Sequence, residues 1–253
     1  TLVRAVPSEP WGSASVRVRH DSRPDVWLQV ATAGKWDASS EPTAAARDLL
    51  DLYLPLQLKR ELVIAQIGQS LDGRIATATG HSHYITGRAD IRRLHRLRAL
   101  VDAVVVGAGT VAADNPQLTV REVEGPNPVR VVLDPRRRLE GHQHVFEDGS
   151  ARTIVIVAAP GETDLSVDGN VVRVPVSADG VLDPHQILNA LGQQGLRRVL
   201  VEGGGTTVSH FVQAGAVDRL HVTVAPILIG SGPQGLTLSP IESLDSALRP
   251  SCR

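Results

Sequence analysis

The sequence predicts an α/β protein whose central sheet is mostly parallel and flanked by helices. Two observations lead to this prediction. From residue 61 onward, aliphatic runs typical of buried strands alternate with helical segments. Several of these runs end in glycine-rich turns, most clearly in residues 199–207, where an aliphatic run leads through Glu202 to three glycines. A helical segment follows, with Thr206 or Thr207 as its expected N-cap and Gly215 at its end, and a strand over residues 220–229 completes a strand–helix–strand crossover.

Composition bounds the classes of function. The chain has 253 residues, 42% of them hydrophobic and 21% charged, and a net charge of −1, as is typical of a soluble globular protein. That charge gives no electrostatic reason to expect nucleic acid or an anionic membrane as a partner. No apolar run approaches the roughly 20 residues of a membrane span, and no secretory signal is visible. The single cysteine, Cys252, predicts neither disulfides nor a cysteine-rich zinc site and fits a cytoplasmic location.

Residues 1–58 differ from the rest and are expected to form an extension packed on a main domain of residues 59–253. Residues 15–19 and 26–30 predict two strands of this extension. A short helix is expected to begin at Thr43, as its cap, and to be ended by Pro55. No pattern in the extension predicts chemistry. The extension contains all three tryptophans, expected to pack it onto the main domain: Trp11, Trp27 and Trp36.

The main domain alternates between strands and helices. Strands are predicted over residues 62–67, 102–106, 118–121, 129–133, 153–158 and 171–176, and helices over residues 88–100 and 184–192. Thr86 is the expected cap of the first of these helices. Arg93 and Arg98 fall inside or at the edge of its apolar stripe. An arginine in that position either extends to solvent or meets an anion in a cleft.

Ligand-like groups follow four of the predicted strands. They are residues 68–73, residues 107–114, Asp134 with Pro135, and residues 202–207. Because the carboxyl ends of parallel strands meet at one edge of a sheet, these segments predict a single crevice, with Glu202 facing it. Glycines let backbone N–H groups come close to a ligand, and a helix N-terminus favours phosphate. The crevice therefore suits a ligand that bears several phosphates.

One turn, Gly107-Ala108-Gly109-Thr110-Val111-Ala112, formally fits the dinucleotide-binding fingerprint. A standard Rossmann fold is not predicted, because Asp114-Asn115-Pro116 ends the following helix after about one turn. The run Arg136-Arg137-Arg138 is either a solvated charge cluster or a reader of a cofactor phosphate.

Other chemistries lack their motifs. The sequence contains no Gly-x-Ser-x-Gly elbow and no Gly-Lys-Ser/Thr phosphate loop, which argues against a serine hydrolase and a nucleoside triphosphatase. His81, His83 and His95 show no spacing typical of metal ligands, so no metal is predicted and core or surface positions are expected. Without a redox cysteine or a metal, a reduction would need an organic hydride donor.

Five segments along residues 60–240 carry a family resemblance. They are Ser70-Leu71-Asp72-Gly73-Arg74, Ser82-His83-Tyr84-Ile85-Thr86, Leu97-Arg98, residues 109–121, and Glu202-Gly203-Gly204. In this order and at this spacing they resemble the riboflavin-biosynthesis pyrimidine reductase family, which comprises the reductase domain of the bifunctional bacterial deaminase–reductase and its stand-alone relatives. The resemblance implies a dihydrofolate reductase-like three-layer fold and a homodimer.

The resemblance also implies an activity of the 5-amino-6-(5-phosphoribosylamino)uracil reductase type. NADPH would give a hydride to the ribose C1′ of a phosphoribosylamino-pyrimidine, yielding the ribitylamino product of riboflavin synthesis. By position in the motifs, the substrate would be bound by Ser82, Arg98, Leu118, Arg121 and Glu202, with both arginines on its 5′-phosphate. NADPH would be bound by Gly68, Tyr84, Thr110, Asp114, Pro135, Gly204, Gly205, Thr206, Thr207, Val208, Ser209 and His210. No catalytic residue is assigned.

Three departures from the family pattern keep alternatives open. Gln66 stands where the bacterial bifunctional enzymes often have lysine, so the substrate is either the deaminated or the non-deaminated pyrimidine. The 253 residues contain no deaminase module with zinc ligands, and the turn after Glu202 is a triple-glycine variant. One alternative is a reductase of the same fold that acts on another pterin or pyrimidine compound. The other is a protein that binds a dinucleotide without turnover.

Overall fold

The computed structural model describes residues 15–20, 23–31, 36–82, 85–159, 166–176 and 180–252. The chain divides into two compact units, Thr1–Leu62 and Val63–Arg253. The described strands form a three-stranded and an eight-stranded sheet. Within the described ranges, no helix has the length and apolar character needed to cross a membrane.

The first unit contains a small antiparallel sheet followed by one helix. β1 (Ser15–His20), β2 (Arg23–Ala31) and β3 (Trp36–Ala38) pair in that order, and α1 (Ala44–Leu58) follows them. Trp36 Nε1 donates to Asp51 Oδ1 at 2.7 Å, which links β3 to α1. The predicted cap is confirmed, because Thr43 Oγ1 accepts the Ala46 N–H at 3.2 Å. Trp11 lies outside the described residues.

The expectation that Pro55 ends α1 is wrong, because the helix continues to Leu58. Tyr53 and Leu56, which flank the proline, are only 3% and 1% exposed. Burial of this apolar pair stabilises the last turn and offsets the loss of the proline N–H, as tertiary packing commonly does for helices.

The second unit is built on one eight-stranded sheet. The order of its strands is β11-β4-β10-β5-β6-β7-β9-β8. The pairs β11–β4, β10–β5, β5–β6, β6–β7 and β7–β9 are parallel, and β8 pairs antiparallel with β9 at one edge. This arrangement confirms the predicted α/β class with a mostly parallel sheet. The strands are β4 (Leu62–Ser70), β5 (Ala103–Gly107), β6 (Val129–Leu133), β7 (Thr153–Ala158), β8 (Ser166–Asp168), β9 (Val171–Val174), β10 (Arg198–Glu202) and β11 (Arg219–Ala225).

Five α-helices and a 3₁₀ turn accompany this sheet. α5 begins with Pro184, as predicted, and Asp183 caps it by accepting the His185 N–H. The threonines expected to cap the helices after residues 86 and 206–207 do not do so, because glycines, Gly87 and Gly204, hold the cap positions without a side-chain hydrogen bond. The elements are α2 (Arg88–Leu100), α3 (Ala108–Asp114), α4 (His144–Glu147), α5 (Pro184–Gln193), α6 (Gly205–Gln213) and the turn Leu244–Ser246.

The middle of the sheet is buried on both faces. Residues 103–106 of β5, and Val131 and Val132 of β6, are 0% exposed. Continuous aliphatic runs of this kind are what a parallel strand covered by helices on both faces requires. α6 adds Val208 and Phe211 to the same core. This packing fixes the strands whose carboxyl ends carry the glycine-rich turns.

Two predicted strands differ from the structure. Residues 118–121 form no strand, and Leu118 adopts a φ of 55°, in the left-handed region. Their backbone groups are held by side chains instead of a strand ladder, as described below. The strand predicted over residues 220–229 ends at Ala225, because Pro226 follows and cannot donate to a ladder.

Candidate active site

Glu202, the last residue of β10, forms a buried ion pair with Arg98 of α2. Arg98 donates from Nε to Glu202 Oε1 at 2.8 Å and from Nη2 to Glu202 Oε2 at 2.6 Å. Both side chains are 8% exposed, and the two parallel contacts match the planar shapes of guanidinium and carboxylate. Burial lowers the pKa of Arg98, but attraction to Glu202 and hydrogen bonding with it outweigh burial and raise the pKa above its ordinary value. Arg98 is therefore charged.

The segment of residues 118–122 lies against this pair. Arg98 Nη1 donates to the Thr119 carbonyl oxygen at 3.1 Å, and Arg121 Nη1 donates to the Thr119 hydroxyl at 2.5 Å. Both guanidinium groups therefore contact Thr119, and desolvation, followed by repulsion from Arg98, lowers the pKa of Arg121. Two such cations can bind a phosphate monoester.

His95 supports the same segment from α2. It lies three residues before Arg98 and is 3% exposed. Its Nδ1 accepts the backbone N–H of Arg121 at 2.8 Å and that of Glu122 at 3.3 Å. Desolvation, followed by the charges of Arg98 and Arg121, lowers the pKa of His95 from 6.5 to about 4. The imidazole is therefore neutral near pH 7.

The glycine-rich turns after β5 and β10 contact each other. Thr110 Oγ1 accepts the Gly204 N–H at 2.8 Å. A Cβ on Gly107 would lie 2.5 Å from Thr207 Oγ1, and a Cβ on Gly203 would lie 3.0 Å from the Val106 side chain. Gly203 also has a φ of 116°, which favours glycine. The turns thus meet at one edge of the sheet, as the strand pattern predicts.

α6 begins at this contact. Its first turn has no side-chain cap, and the N–H groups of Thr207 and Val208 donate to the Gly204 carbonyl. The positive end of the helix would stabilise an anion beside residues 204–206. Val208 belongs to the core, and Ser209 Oγ accepts the Thr237 N–H at 2.8 Å. A cofactor contact of these last two residues stays a prediction.

The Ser-Leu-Asp-Gly-Arg motif forms hydrogen bonds with the loop that follows β11. Asp72 accepts the Ile229 N–H at 3.1 Å and the Gly230 N–H at 2.6 Å. Arg74 donates to the Gly230 carbonyl at 2.9 Å. Hydrogen bonds from Ser70, then Ile229 and Gly230, hold the pKa of Asp72 well below its usual range. The motif therefore ties two distant segments together.

The same loop packs on the start of α6. A Cβ on Gly205 would lie 2.6 Å from the Gly235 carbonyl oxygen and would also meet that of Gln234. Gly205 is thus fixed as glycine by the close approach of the backbone of residues 234 and 235.

Ser82 and Asp114, which are predicted to bind different ligands, lie together. Ser82 Oγ donates to Asp114 Oδ1 at 3.1 Å. Asp114 ends α3, and Asn115 follows with a φ of 41°, as expected where this helix is broken early. Gly68 packs against Thr86, since a Cβ on Gly68 would lie 2.7 Å from the threonine methyl group. Tyr84 lies outside the described residues.

Asp134 and Pro135 follow β6. Asp134 is 2% exposed, and its Oδ2 accepts the Leu139 N–H at 3.0 Å. Its Oδ1 has no hydrogen-bond partner within the described part of the chain. A buried acceptor of this kind is one that a ligand hydroxyl can satisfy. The arginine run beside it is exposed: Arg136, Arg137 and Arg138.

Gln66 is held in a separate polar cluster between β4, β11 and α2. Arg93 Nη2 donates to Gln66 Oε1 at 2.5 Å, to Asp90 Oδ1 at 2.9 Å and to Thr223 Oγ1 at 3.0 Å. The choice left open for the two arginines of the α2 stripe is thereby answered. Arg93 meets the Asp90 carboxylate in this cluster, and Arg98 meets the Glu202 carboxylate.

The structure connects three predicted substrate residues, Arg98, Arg121 and Glu202, through Thr119. Leu118 begins the same segment and is 3% exposed. No sequence pattern predicts that His95 belongs to this group. Its spacing of three from Arg98 on one helix face is a signal for the shared location, but its backbone partners lie 26 and 27 residues further along the chain.

Several known proteins are similar in sequence to most of this chain. A family model described as the RibD C-terminal domain matches residues 61–250. A 2,5-diamino-6-ribosylamino-4(3H)-pyrimidinone 5′-phosphate reductase from Methanothermobacter thermautotrophicus is 40% identical over 190 residues, covering 74% of this chain and 87% of that protein. A protein of the same name from Archaeoglobus fulgidus is 37% identical over 183 residues, covering 68% of this chain and 83% of that protein.

A solved structure shares the fold. The Thermotoga maritima diaminohydroxyphosphoribosylaminopyrimidine deaminase/5-amino-6-(5-phosphoribosylamino)uracil reductase aligns with a TM-score of 0.60 and 31% identity. The alignment covers 81% of this chain and 56% of that one, so this chain spans little more than half the length of that protein. The expected dihydrofolate reductase-like fold is confirmed. Since the family model matches most of its length, the chain belongs to the RibD C-terminal domain family, the pyrimidine reductases of riboflavin biosynthesis.

Proposed function

We propose that this chain reduces the ribosylamino group of a 5′-phosphorylated ribosylaminopyrimidine to a ribitylamino group in riboflavin synthesis, with NADPH as the hydride donor. The observation that carries the proposal is the network at the end of β10, where Arg98, Glu202 and Arg121 meet beside two glycine-rich turns. The printed names of the archaeal relatives support the same reaction class.

Arg121 and Arg98 would bind the 5′-phosphate of the substrate. The described hydrogen bonds of the Arg98 side chain use three of its five N–H groups, so it can keep Glu202 paired while it binds a ligand. The described bond of the Arg121 side chain, to Thr119, uses one. Glu202 has acceptor capacity beyond its two bonds to Arg98, and that capacity suits sugar hydroxyls or pyrimidine N–H groups.

The neighbouring turns fit a dinucleotide. A Cβ on Gly107 would meet the Thr207 hydroxyl, and a Cβ on Gly203 would crowd Val106, so glycine at these positions lets the two turns pack closely together. α6 begins without a side-chain cap, and Asp134 Oδ1 is a buried acceptor that a ribose hydroxyl would satisfy. We propose that residues 204–210, with Gly68, Tyr84, Thr110, Asp114 and Pro135, bind NADPH. When bound, NADPH supplies the hydride for C1′.

The contribution of the protein to catalysis would be positioning. The open-chain form of the ribosylamine is an imine, and its reduction adds a hydride at C1′ and a proton at nitrogen. Arg121 on the phosphate and Glu202 on the sugar would fix C1′ from both sides, which lowers the entropy cost of the reaction. The buried Arg98–Glu202 pair keeps its charges in place without reorganisation.

We infer that the preferred pyrimidine is the diamino compound and not the deaminated uracil. The two archaeal relatives are named for the diamino substrate. Gln66, which replaces the lysine frequent in bacterial bifunctional enzymes, agrees with this preference.

Turnover of both pyrimidines tests the proposal. NADPH binding is first measured by calorimetry, and each pyrimidine phosphate is then added while the absorbance of reduced nicotinamide is followed. We expect turnover with a higher kcat/KM for the diamino compound, and loss of turnover but not of NADPH binding in Glu202→Gln. Binding of NADPH without oxidation by either pyrimidine would contradict the proposal and indicate a dinucleotide-binding protein.

We also propose that the protein is a cytoplasmic homodimer. β11 is an edge strand of the sheet, and its Val222 and Val224 are 41% and 49% exposed. Ile227 and Leu228, just beyond it, are 41% and 77% exposed. An exposed apolar edge favours pairing with a second chain. Light scattering should show a dimer that Val224→Lys converts to a monomer, and a monomeric wild-type protein would contradict this assignment.

A further inference from the structure

We propose that His95 is a positioning residue for substrate binding, because its imidazole fixes the backbone from which Arg121 projects. The ligand named here, the phosphorylated pyrimidine, rests on the proposed function. The positioning itself rests only on the contacts between α2 and residues 118–122.

The geometry places His95 and Arg98 as two neighbouring supports on α2. Their spacing of three residues puts both on one face of the helix, and both are buried, 3% and 7% exposed. His95 Nδ1 receives the N–H of Arg121 at 2.8 Å, and Arg98 Nη1 donates to the carbonyl of Thr119 at 3.1 Å. The two side chains thus hold backbone groups on both sides of Val120.

The segment needs such support because it forms no strand. Leu118 has a left-handed backbone, and the Val120 N–H is taken by Asn127 Oδ1 at 2.7 Å. Backbone groups that a sheet ladder would satisfy are satisfied here by side chains. The guanidinium group of Arg121 donates a hydrogen bond to Thr119, and the backbone N–H of Arg121 donates one to His95. Loss of the hydrogen bond between the Arg121 N–H and His95 would allow the guanidinium group to move.

The hydrogen-bond partners of His95 determine which nitrogen of its ring carries the proton. Arg121 and Glu122 both offer N–H donors to Nδ1, so Nδ1 carries no proton and the proton of the neutral ring is on Nε2. Asparagine places its side-chain oxygen close to the position of Nδ1 and can replace this acceptor. Glutamine reaches the position of Nε2 instead, and leucine offers similar bulk without an acceptor.

Three variants and two readouts test the proposal. For His95→Leu we expect the KM for the pyrimidine phosphate to rise about tenfold or more, as a small misplacement of a binding group does. The Kd for NADPH should stay unchanged. Backbone amide exchange at Arg121 should become faster in the same variant. His95→Asn should restore both values to near those of the wild type.

His95→Gln replaces the leucine variant if the latter does not fold, and the same increases are expected because its oxygen misses Nδ1. His185→Leu on α5 is the matched control, since the described contact of this exposed imidazole is with the Ala214 carbonyl, and the backbone N–H that meets Asp183 is kept in the variant. Its KM and Arg121 exchange should match the wild type.

Three results would overturn the positioning role: unchanged exchange at Arg121 in His95→Leu or His95→Gln, equal weakening of NADPH and pyrimidine, or no rescue by asparagine. If the wild-type protein reduces neither pyrimidine, the proposed function fails, and amide exchange at Arg121 still decides the role of His95.

Discussion

Arg98 and Glu202 make a two-point ion pair that joins the last turn of α2 to the carboxyl end of β10, with both side chains 8% exposed. This contact links residues 104 positions apart in the chain and places a fixed pair of opposite charges beside the triple-glycine turn. It also divides the work between the two arginines of the site. Arg98 holds Glu202 and the Thr119 carbonyl, and the described hydrogen bond of the Arg121 side chain, to the Thr119 hydroxyl, uses one of its five N–H groups.

Removal of one partner of this pair should be costly. Arg98→Met should lower the free energy of unfolding by about 3–5 kcal/mol, because it leaves the Glu202 carboxylate buried without its cation. Urea denaturation measures this change. The double variant Arg98→Met/Glu202→Leu should recover much of the loss, since no charge remains buried.

The partly exposed pair Arg198–Asp102, 20% and 21% exposed, is the control for this experiment. Arg198→Met should cost about 1 kcal/mol or less, as is usual for an ion pair that water reaches. Equal losses for Arg98→Met and Arg198→Met, or additive losses in the double variant, would contradict the described role of the buried pair.

Arg121 should serve the substrate and not the cofactor. Arg121→Gln removes charged donors worth about 1.5–3 kcal/mol, so the KM for the pyrimidine phosphate should rise about 10- to 100-fold. The Kd for NADPH should change by less than about twofold. Steady-state kinetics and calorimetry measure the two values. Arg92→Gln, at an exposed position of α2, should change neither. Equal weakening of both ligands by Arg121→Gln would move Arg121 to the cofactor.

Gly205 should tolerate no side chain. Gly205→Ala should lower the free energy of unfolding by about 1–3 kcal/mol, because the added methyl group meets the carbonyl oxygens of residues 234 and 235. Gly109→Ala in α3 is the matched control, since nothing lies within 4 Å of a Cβ there. That change should be neutral or stabilising by up to about 1 kcal/mol. The same stability for both variants would contradict the described packing of α6.

The free energy of unfolding should decrease as the pH falls, because His95 stays neutral when the protein is folded. Its pKa is lowered from 6.5 to about 4, by desolvation and by the charges of Arg98 and Arg121, against the opposing charges of Glu202 and Glu122. Between these values the unfolded chain binds a proton that the folded chain does not, so stability decreases as pH falls from about 6.5 to about 4. Below that range the contribution stays constant.

His221 should add to this dependence. Desolvation, followed by the charges of Arg93 and Arg219, lowers its pKa from 6.5 to about 4, with Asp90 acting in the opposite direction. Urea denaturation at several pH values measures the slope. His95→Asn should reduce the loss between about pH 6.5 and 4, and an unchanged slope in that variant would show that His95 is not neutral in the folded state.

Continuous patterns in the sequence predicted the fold well. The aliphatic run of β5 and the run leading to Glu202 predicted buried parallel strands, because burial on both faces leaves a signal at every position. The early end of α3 followed from Asp114-Asn115-Pro116, since local chemistry determines a helix break. The meeting of the two glycine-rich turns followed from the rule that parallel strands end at one edge.

The contacts that local patterns do not encode were missed. The composition of residues 118–121 predicts a strand. In the structure, side chains of α2 and of Asn127 form the hydrogen bonds of their backbone groups instead. The role of His95 depends on a partner 26 residues away. The continuation of α1 through Pro55 depends on burial of the residues around it. Each of these features depends on tertiary packing, which the pattern of neighbouring residues in the sequence does not reveal.

The most direct test of the proposed hydride transfer follows a label into the product. Incubation with NADPH carrying two deuterium atoms at the reactive nicotinamide carbon, and with the diamino pyrimidine phosphate, should give a ribitylamino product with one deuterium, located at C1′ by mass spectrometry. A ribitylamino product without deuterium, or recovery of unchanged pyrimidine from a protein that binds NADPH, would contradict the account.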